Sequence, residues 1–251
     1  MYQRLVIGNK IIKLEEVDST NNYMQQLILN QQNEIEGLVV TTKNQTSGKG
    51  LGGNVWHSEK DKNLTFSILL KPNCSIQNQF LISKAISLGV LDFLNDLGLK
   101  NVKIKWPNDM YIADKKIAGI LIENSVRNGS IYSSVVGIGL NVNQTDFKSN
   151  INFATSIYNE MGKEYFQLDE LLKQLLFFIE RRYILLKTEK VNVINQDYLK
   201  HLYWINELRN FKTKNGAFKG SIVGINSIGK LQIKKSNSIN EFDLKEIEFC
   251  Y

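Results

Sequence analysis

A polar turn flanked by strands constrains the fold of this chain more than any other stretch. Residues 101–106 alternate polar and apolar side chains, as a half-buried strand does, and Pro107 ends the run because it lacks a ladder donor. A second short strand is expected near Met110, followed by a turn at residues 113–116. The apolar run 117–122 then predicts a core strand. The sequence therefore predicts a β-hairpin whose tip carries charge.

Four residues of this hairpin are candidates for chemistry. Lys116 lies where a strand enters the core, which is a poor place for a solubilising lysine. Asn108 and Asp109 follow a proline that restricts the backbone, so their side chains have a defined direction. Gly119 interrupts a β-branched strand, which indicates that another group approaches the backbone closely. From periodicity alone, a polar hairpin with an ordinary turn lysine remains an alternative.

The composition is that of a globular protein with room for one large domain and a small second one. The 251 residues are 43% hydrophobic and 22% charged, with a formal net charge of +6. The lysines are scattered, which favours a basic protein that handles phosphates over a nucleic-acid binder. No signal peptide or spanning helix is evident, and two cysteines, Cys74 and Cys250, are too few for a disulfide framework or a metal motif. We expect a reduced, cytoplasmic setting without membrane contact.

Two polar clusters precede the hairpin. Asp18 or Ser19 is expected to cap a helix over residues 21–29. Residues 44–56 contain four glycines beside Lys49, and converging backbone N–H groups with a cation make a plausible phosphate cradle. The order of a P-loop is absent, and a flexible glycine-rich turn remains the alternative.

A third cluster, residues 137–143, places glycines at a strand end. Alternating glycines permit close backbone approach to a ligand, and the Asn141 amide suits a base edge or a ribose. Taken alone, a Gly-x-Gly pattern more often marks a bulge.

The remaining pattern predicts a helix-flanked main unit followed by a small β unit. Apolar spacing predicts helices over residues 79–97, 170–186 and about 195–202, with Asp169 as the cap of the second. From about residue 204, short strands separated by turns follow, at 217–225, 230–234 and 241–249. We therefore expect two domains, residues 1–203 and 204–251.

The word Lys-Trp-Pro-Asn-Asp at residues 105–109, followed by Lys-Ile-Ala-Gly-Ile-Leu-Ile-Glu at 116–123, resembles the signature of biotin protein ligases. The glycine-rich segment is similar to the same family's glycine-rich loop. Lys49 stands where the family usually has an arginine, which keeps the charge and loses the planar fork, and Leu51 stands where a second arginine is frequent. The matching positions of this loop are Gln45, Gly48, Gly50, Gly53 and Trp56.

The resemblance covers nearly the whole chain and implies a fold. That fold is α+β, with a mixed β-sheet flanked by helices, like class II aminoacyl-tRNA synthetases and biotin synthetases, and a C-terminal SH3-like β-barrel. No residues remain ahead of it for a helix-turn-helix domain, so a monofunctional type is expected. Residues 154–157 also resemble a family word, to which no chemistry is assigned.

The resemblance implies roles for individual residues. Lys116 and Lys49 are the implied catalytic cations, and no metal ligand is assigned. The implied nucleotide contacts are Trp56, Asn108, Asp109 and Asn141. The implied biotin contacts are Ser19, Thr20, Asn21, Gln45, Gly48, Lys49, Gly50, Lys116, Gly119 and Gly137.

The implied activity is an ATP- and Mg²⁺-dependent ligation. Biotin is activated to biotinyl-5′-AMP and transferred to a lysine of the biotin carboxyl carrier protein of acetyl-CoA carboxylase or a related carboxylase. No DNA partner is expected, and a homodimer is left open. The alternatives are a lipoate or octanoate ligase or transferase of the same superfamily, a DNA-binding regulator, and a non-enzymatic binding module.

Overall fold

The computed structural model describes residues 6–30, 35–147, 153–162 and 165–251. Five helices are described: α1 Thr20–Leu29, α2 Phe80–Asp96, α3 Ile157–Met161, α4 Leu168–Lys187 and α5 Val191–Lys200. The strands of the main unit are β1 Ile11–Val17, β2 Val39–Gln45, β3 Leu64–Leu70, β4 Cys74–Ser75, β5 Val102–Lys105, β6 Asp109–Ile112, β7 Lys115–Arg127 and β8 Ser130–Leu140. Those of the C-terminal unit are β9 Leu208–Thr213, β10 Gly216–Ile225, β11 Leu231–Lys235, β12 Ser238–Phe242 and β13 Glu248–Cys250.

The larger sheet is mixed and is covered by helices on both faces. Its order is β1-β2-β3-β8-β7-β6-β5, with β4 beside β8, and only β1 and β2 pair in parallel. Because successive strand residues point to opposite faces, Val39 joins the core under α2 and α4, whereas Val40 joins a smaller core under α1. The predicted mixed sheet flanked by helices is confirmed.

Helix α2 is the central support of this sheet. Its residues are buried on nearly every side, and Gly98 ends it at a φ of +92°. Gly89 lets α4 approach, since a Cβ there would lie 2.6 Å from the Ile179 Cα. The helix thus holds the strands β5, β6 and β7 that carry the hairpin.

The predicted cap of α4 is wrong, and the predicted cap of α1 is right in its position but not in its hydrogen bond. Helix α4 is capped at Gln167, and Asp169 lies in its first turn, where a carboxylate complements the helix dipole and pairs with Lys13 at 2.6 Å. Ser19 occupies the cap position of α1 but makes no side-chain cap bond. Asp18 instead accepts from the side chain of Asn22, and this hydrogen bond is the main cause of the lowered pKa of Asp18.

Several element bounds also differ from the prediction. Strand β7 continues to Arg127 because it pairs with β8 from Ala118 to Arg127, up to the turn at Asn128. Helix α5 covers Val191–Lys200, which is earlier than the predicted 195–202.

The C-terminal unit is a five-stranded antiparallel sheet in the order β12-β11-β10-β9-β13. Strand β9 was not predicted, because only Phe211 of its six residues is buried. The predicted strand 241–249 is two strands, with Lys245 between them at a φ of +66°. The Trp106 Nε1 donates to the Gly229 carbonyl at 2.8 Å, which ties this sheet to the hairpin. A domain boundary at residue 204 remains a prediction.

Among the helices described, none is long and apolar enough to cross a membrane.

Candidate active site

A narrow cavity of about 40 Å³ opens where the central strands meet the start of α1, the glycine-rich loop and the hairpin tip. Most predicted site residues line it, and so do several that the sequence did not single out. The predicted ones are Ser19, Thr20, Asn21, Gln45, Lys49, Gly50, Trp56, Asn108, Lys116, Gly119 and Gly137; the others are Leu51, Thr65, Ile120, Leu121, Ile138 and Gly139.

The floor of the cavity is a network of buried polar side chains. The Ser67 hydroxyl lies 2.7 Å from Thr20 Oγ1 and 2.6 Å from Asn21 Oδ1. The Asn21 Nδ2 donates to Glu123 Oε2 at 2.7 Å. Gly137 faces this network, since a Cβ there would lie 2.3 Å from Asn21 Oδ1. Asn21 is therefore fixed by its neighbours and presents an oriented amide to the cavity.

Gln45 performs the capping that was expected of Asp18 or Ser19. Its Oε1 accepts from the Thr20 backbone N–H at 2.9 Å and lies 3.3 Å from Thr20 Oγ1. One of the free donors at the N-terminus of α1 is thereby satisfied. The cap also fixes the end of β2 against the helix, so Gln45 and Thr20 face the cavity as a unit.

The glycine-rich loop closes on itself. The Gly48 carbonyl accepts from the Trp56 N–H at 2.9 Å, and the Gly50 N–H donates to the Asn54 carbonyl at 2.7 Å. Lys49 and Val55 form an isolated antiparallel β-bridge. Gly48 does not line the cavity, although the resemblance implied that it contacts biotin. A Cβ on Gly48 would lie 2.3 Å from the Trp56 carbonyl oxygen, so its hydrogen side chain permits the loop closure.

The indole of Trp56 rests on two glycines that face each other across β7 and β8. Gly119 pairs directly with Gly139. A Cβ on Gly139 would lie 2.2 Å from Trp56 Cε2, and one on Gly119 would lie 3.2 Å from both Trp56 Cζ3 and Lys116 Nζ. The close approach expected at Gly119 is therefore made by the protein's own side chains, and Gly139 belongs to the same seat.

Lys116 lies at the mouth of the cavity beside a single carboxylate. Its Nζ is 2.7 Å from Asp109 Oδ1 and 5.4 Å from the centre of the Trp56 ring. Both members of the ion pair are partly exposed, with side-chain exposures of 31% for Lys116 and 20% for Asp109. Asp109 lines an adjoining cavity with Asn108 and Lys116 and does not line the first one.

The backbone of Lys116 is held by a segment distant in sequence. Its N–H donates to the Phe153 carbonyl at 2.6 Å, and its carbonyl accepts from the Thr155 N–H at 2.9 Å. Asn141 Nδ2 donates to the Thr155 carbonyl at 2.9 Å. Asn141 is buried and lies off the cavity wall, so it braces the lysine segment in this structure instead of facing the implied nucleotide.

Asn108 links the hairpin to β7. Its Nδ2 donates to the Ile120 carbonyl at 2.6 Å, and its own carbonyl accepts from the Ile120 N–H at 2.9 Å. The peptide bond before Pro107 is cis.

The C-terminal sheet contacts the base of the same hairpin. The Lys105 Nζ lies 4.7, 5.0 and 5.3 Å from the ring centres of Tyr111, Phe249 and Tyr251. The ring of Tyr251 also stacks on Phe153, which accepts the Lys116 N–H. The end of the chain therefore adjoins the support of Lys116.

The charges of the site suit an anion. Among the described residues that line the first cavity, Lys49 and Lys116 are the only charged ones, so this lining carries two cations and no carboxylate. Within the part of the chain that the structure describes, no three His, Cys, Asp or Glu side chains cluster as metal ligands. An anionic ligand in this cavity would be attracted without an opposing carboxylate on the wall.

Sequence comparison places the chain in a family. Residues 14–141 match the family model of the biotin/lipoate A/B protein ligases, and the chain belongs to this family. Among curated proteins, it is 28% identical over 246 residues to the bifunctional ligase/repressor BirA of Bacillus subtilis, which covers 97% of this chain and 75% of that protein. It is also 28% identical over 237 residues to the human biotin–protein ligase, covering 89% of this chain and 32% of the human protein.

Solved structures give the same assignment. The biotin protein ligase from Aquifex aeolicus in complex with biotin and ATP matches with a TM-score of 0.78 and 27% sequence identity, over 96% of this chain and 98% of that one. The fold expected from the resemblance is therefore confirmed.

Proposed function

We propose that this protein is a biotin protein ligase that activates biotin with ATP to biotinyl-5′-AMP and transfers the biotin to a lysine of a biotin carboxyl carrier protein. One observation carries the proposal. A cavity with two lysines and no carboxylate lies beneath a glycine-rich loop, in a fold shared with a ligase whose structure contains biotin and ATP.

The first step brings two anions together. A biotin carboxylate oxygen attacks the α-phosphorus of ATP, the new oxygen–phosphorus bond forms, and pyrophosphate leaves with the electrons of the broken bond. Two unit charges 4 Å apart interact by about 4 kcal/mol at an effective dielectric constant of about 20, so cations are required. Lys116 stands where the two adjoining cavities meet and is the group that can contact both reactants.

Asp109 holds the Lys116 ammonium at that junction. A lysine side chain has several rotatable bonds, and an ion pair at 2.7 Å restricts them. We infer that the carboxylate keeps Nζ between the cavity and its neighbour before the substrates bind. Lys49 supplies the second positive charge from the glycine-rich loop.

We assign the biotin ring and the adenine to the protein groups whose chemistry suits each of them. Biotin is assigned to the floor formed by Ser19, Thr20, Asn21 and Gln45, whose polar atoms suit a ureido ring. Adenine is assigned to the Trp56 indole, which offers an aromatic face.

Mg²⁺ fits the same junction. This ion is usually held by one or two carboxylates together with substrate phosphates, and Asp109 with Asn108 provides a carboxylate and an amide there. When bound with ATP, the ion would neutralise phosphate charge.

In the second step, the amine of a carrier lysine attacks the acyl carbon of biotinyl-5′-AMP. An amide bond forms, the mixed anhydride bond breaks, and AMP leaves. We infer that the glycine-rich loop shields the anhydride from water. A Gly48→Ser variant, whose side chain would meet the Trp56 carbonyl, should release biotinyl-5′-AMP faster than the wild type. Unchanged retention of the adenylate would contradict the shielding role.

A lipoate or octanoate ligase is not favoured, because the human relative and the Aquifex aeolicus structure reported above are named as biotin protein ligases. We also infer a cytoplasmic setting, which two free cysteines support.

The test is biotin-dependent pyrophosphate release with ATP and Mg²⁺, with lipoate as the competing acid. Lys116→Ala should lower the rate about a hundredfold, in line with the loss of one preorganised charge. Lys115→Ala is the matched control, since the neighbouring Lys115 is exposed, and it should stay within about twofold of the wild type. No release from folded wild-type protein with carrier present would refute the proposal.

A further inference from the structure

Another cavity, of about 500 Å³, lies between helices α2 and α5 and the connection from β10 to β11. None of its lining residues lines the candidate active site or the cavity adjoining it. Its walls come from both the main unit and the C-terminal sheet. The cavity is therefore a separate feature that the proposed reaction does not use.

This cavity contains a buried lysine without a counter-charge. Lys84 is only 7% exposed, and its Nζ donates to Asn195 Oδ1 at 2.8 Å. The ammonium lies 5.6 Å from the ring centre of Phe80 and 5.7 Å from that of Tyr198. No Asp or Glu lines the cavity, so its only charge is positive.

Burial of the ammonium has a measurable consequence. Loss of hydration disfavours the charged form, and it lowers the pKa of Lys84 to about 8. No opposite charge offsets this effect, although buried charges are normally paired. An anion would supply the missing partner.

A second residue that lines this cavity has a hydroxyl without a hydrogen-bond partner. Tyr198 is buried, with only 1% of its surface exposed. Its hydroxyl makes no hydrogen bond to any residue that the structure describes. A buried hydroxyl without a hydrogen bond is destabilising, because it has lost its contacts with water and gained none in exchange. Asn195 uses its carbonyl oxygen for Lys84, which leaves its Nδ2 as a donor. Lys84, Asn195 and Tyr198 therefore line one cavity, and no Asp or Glu is among the described residues that line it.

We propose that this cavity is a binding site for a small oxyanion, a phosphate or carboxylate group, held by the Lys84 ammonium and the Tyr198 hydroxyl. Its occupant would contact α2, α5 and the β10–β11 connection together. Binding would therefore stabilise the contact between the C-terminal sheet and the main unit. Lys84 and Tyr198 are the only titratable residues among the described ones that line the cavity, so its pH dependence belongs to them.

The test follows the ε-carbon resonance of Lys84 by NMR in full-length protein with ¹³C-labelled lysine. The resonance is assigned by its loss in Lys84→Met. The protein is titrated with pH in chloride, in inorganic phosphate and in acetate at equal ionic strength. We expect the apparent pKa of Lys84 to rise by about one unit in saturating phosphate or acetate, which corresponds to a tenfold preference of the anion for the charged lysine.

Variants separate this site from others. Tyr198→Phe removes only the hydroxyl and should weaken anion binding about tenfold, whereas Lys200→Met, on the exposed end of α5, should leave it unchanged. The shift should persist in Lys116→Ala, where anion binding at the candidate active site is impaired. A shift with phosphate alone or acetate alone supports the site and identifies the preferred group. Identical titration of Lys84 in all three anions, or loss of the shift in Lys116→Ala, would overturn the proposal.

Discussion

Replacement of Gly139 by alanine tests the seat of the Trp56 indole directly. The added Cβ would lie 2.2 Å from Trp56 Cε2, and ordinary contact begins at 3.4 Å, so the ring has to move by at least about 1.2 Å. We therefore expect the indole to lift out of its seat.

The magnitude follows from the area of the ring. Trp56 is half-buried, and an aromatic side chain buries about 150–250 Å² when fully covered, so roughly 100 Å² depends on this seat. At about 25 cal/mol per Å², complete displacement costs about 2.5 kcal/mol. Partial displacement with strain gives an expected loss of about 1–2.5 kcal/mol in the free energy of unfolding, measured by denaturant titration without ligands.

The control is the same substitution in a Trp56→Ala background. Without the indole there is no clash, and Gly139→Ala should then be neutral or slightly stabilising, because alanine restricts the unfolded chain. The coupling energy of the double-mutant cycle is therefore expected to be at least about 1 kcal/mol. Equal losses in both backgrounds would show that the indole does not rest on Gly139, and the proposed adenine contact of Trp56 would lose its structural basis.

Three further changes test other parts of the molecule. Gly137→Ala would place a Cβ 2.3 Å from Asn21 Oδ1, so biotin binding measured by calorimetry should weaken at least tenfold; unchanged affinity would mean that the Asn21 network does not shape the biotin site. Asn141→Ala removes the donor to the Thr155 carbonyl and should lower the free energy of unfolding by about 1–3 kcal/mol in denaturant titration. A loss below about 0.5 kcal/mol would contradict that bracing role. Burial lowers the pKa of Lys84 to about 8 in the folded protein from its ordinary value of 10.5, so the unfolded chain binds more protons between these two pH values. The wild type should therefore gain about 3 kcal/mol relative to Lys84→Met from pH 8 to pH 10.5, and parallel curves would refute the lowered pKa.

The fold was predictable where one local pattern decides an element. Helix α2 is apolar around most of its surface, and β3 is buried at every residue, so both were found from the sequence. Strand β9 was missed because Phe211 alone faces the core, and most of its order comes from pairing with β10 and β13. Tertiary pairing specified that strand, and a single sequence does not contain its partners.

The sequence predicted most of the residues that line the cavity. It did not predict the hydrogen-bond network that holds them in position. Ser67 and Glu123 hold Thr20 and Asn21 in position, yet neither was assigned a role from the sequence, although Glu123 ends the motif at residues 116–123. The available signal was a serine in a fully buried strand, which requires a hydrogen-bond partner. Its partner is set by the register that places Ser67 opposite Gly137, and strand register is a non-local property.

The motif at residues 154–157 has no evident chemistry of its own, but it supports the backbone of a proposed reactive residue. Lys116 begins a strand, and a strand end would be free to fray if its backbone were paired on one side only. The parallel bridge to Ala154 pairs the other side, and Asn141 fixes that bridge through Thr155. Asp109 then restrains the ammonium, so the lysine is held at both its backbone and its tip. A side chain restrained in this way loses less conformational freedom when it meets a charged substrate, and the word is therefore best understood as the support of the proposed catalytic lysine.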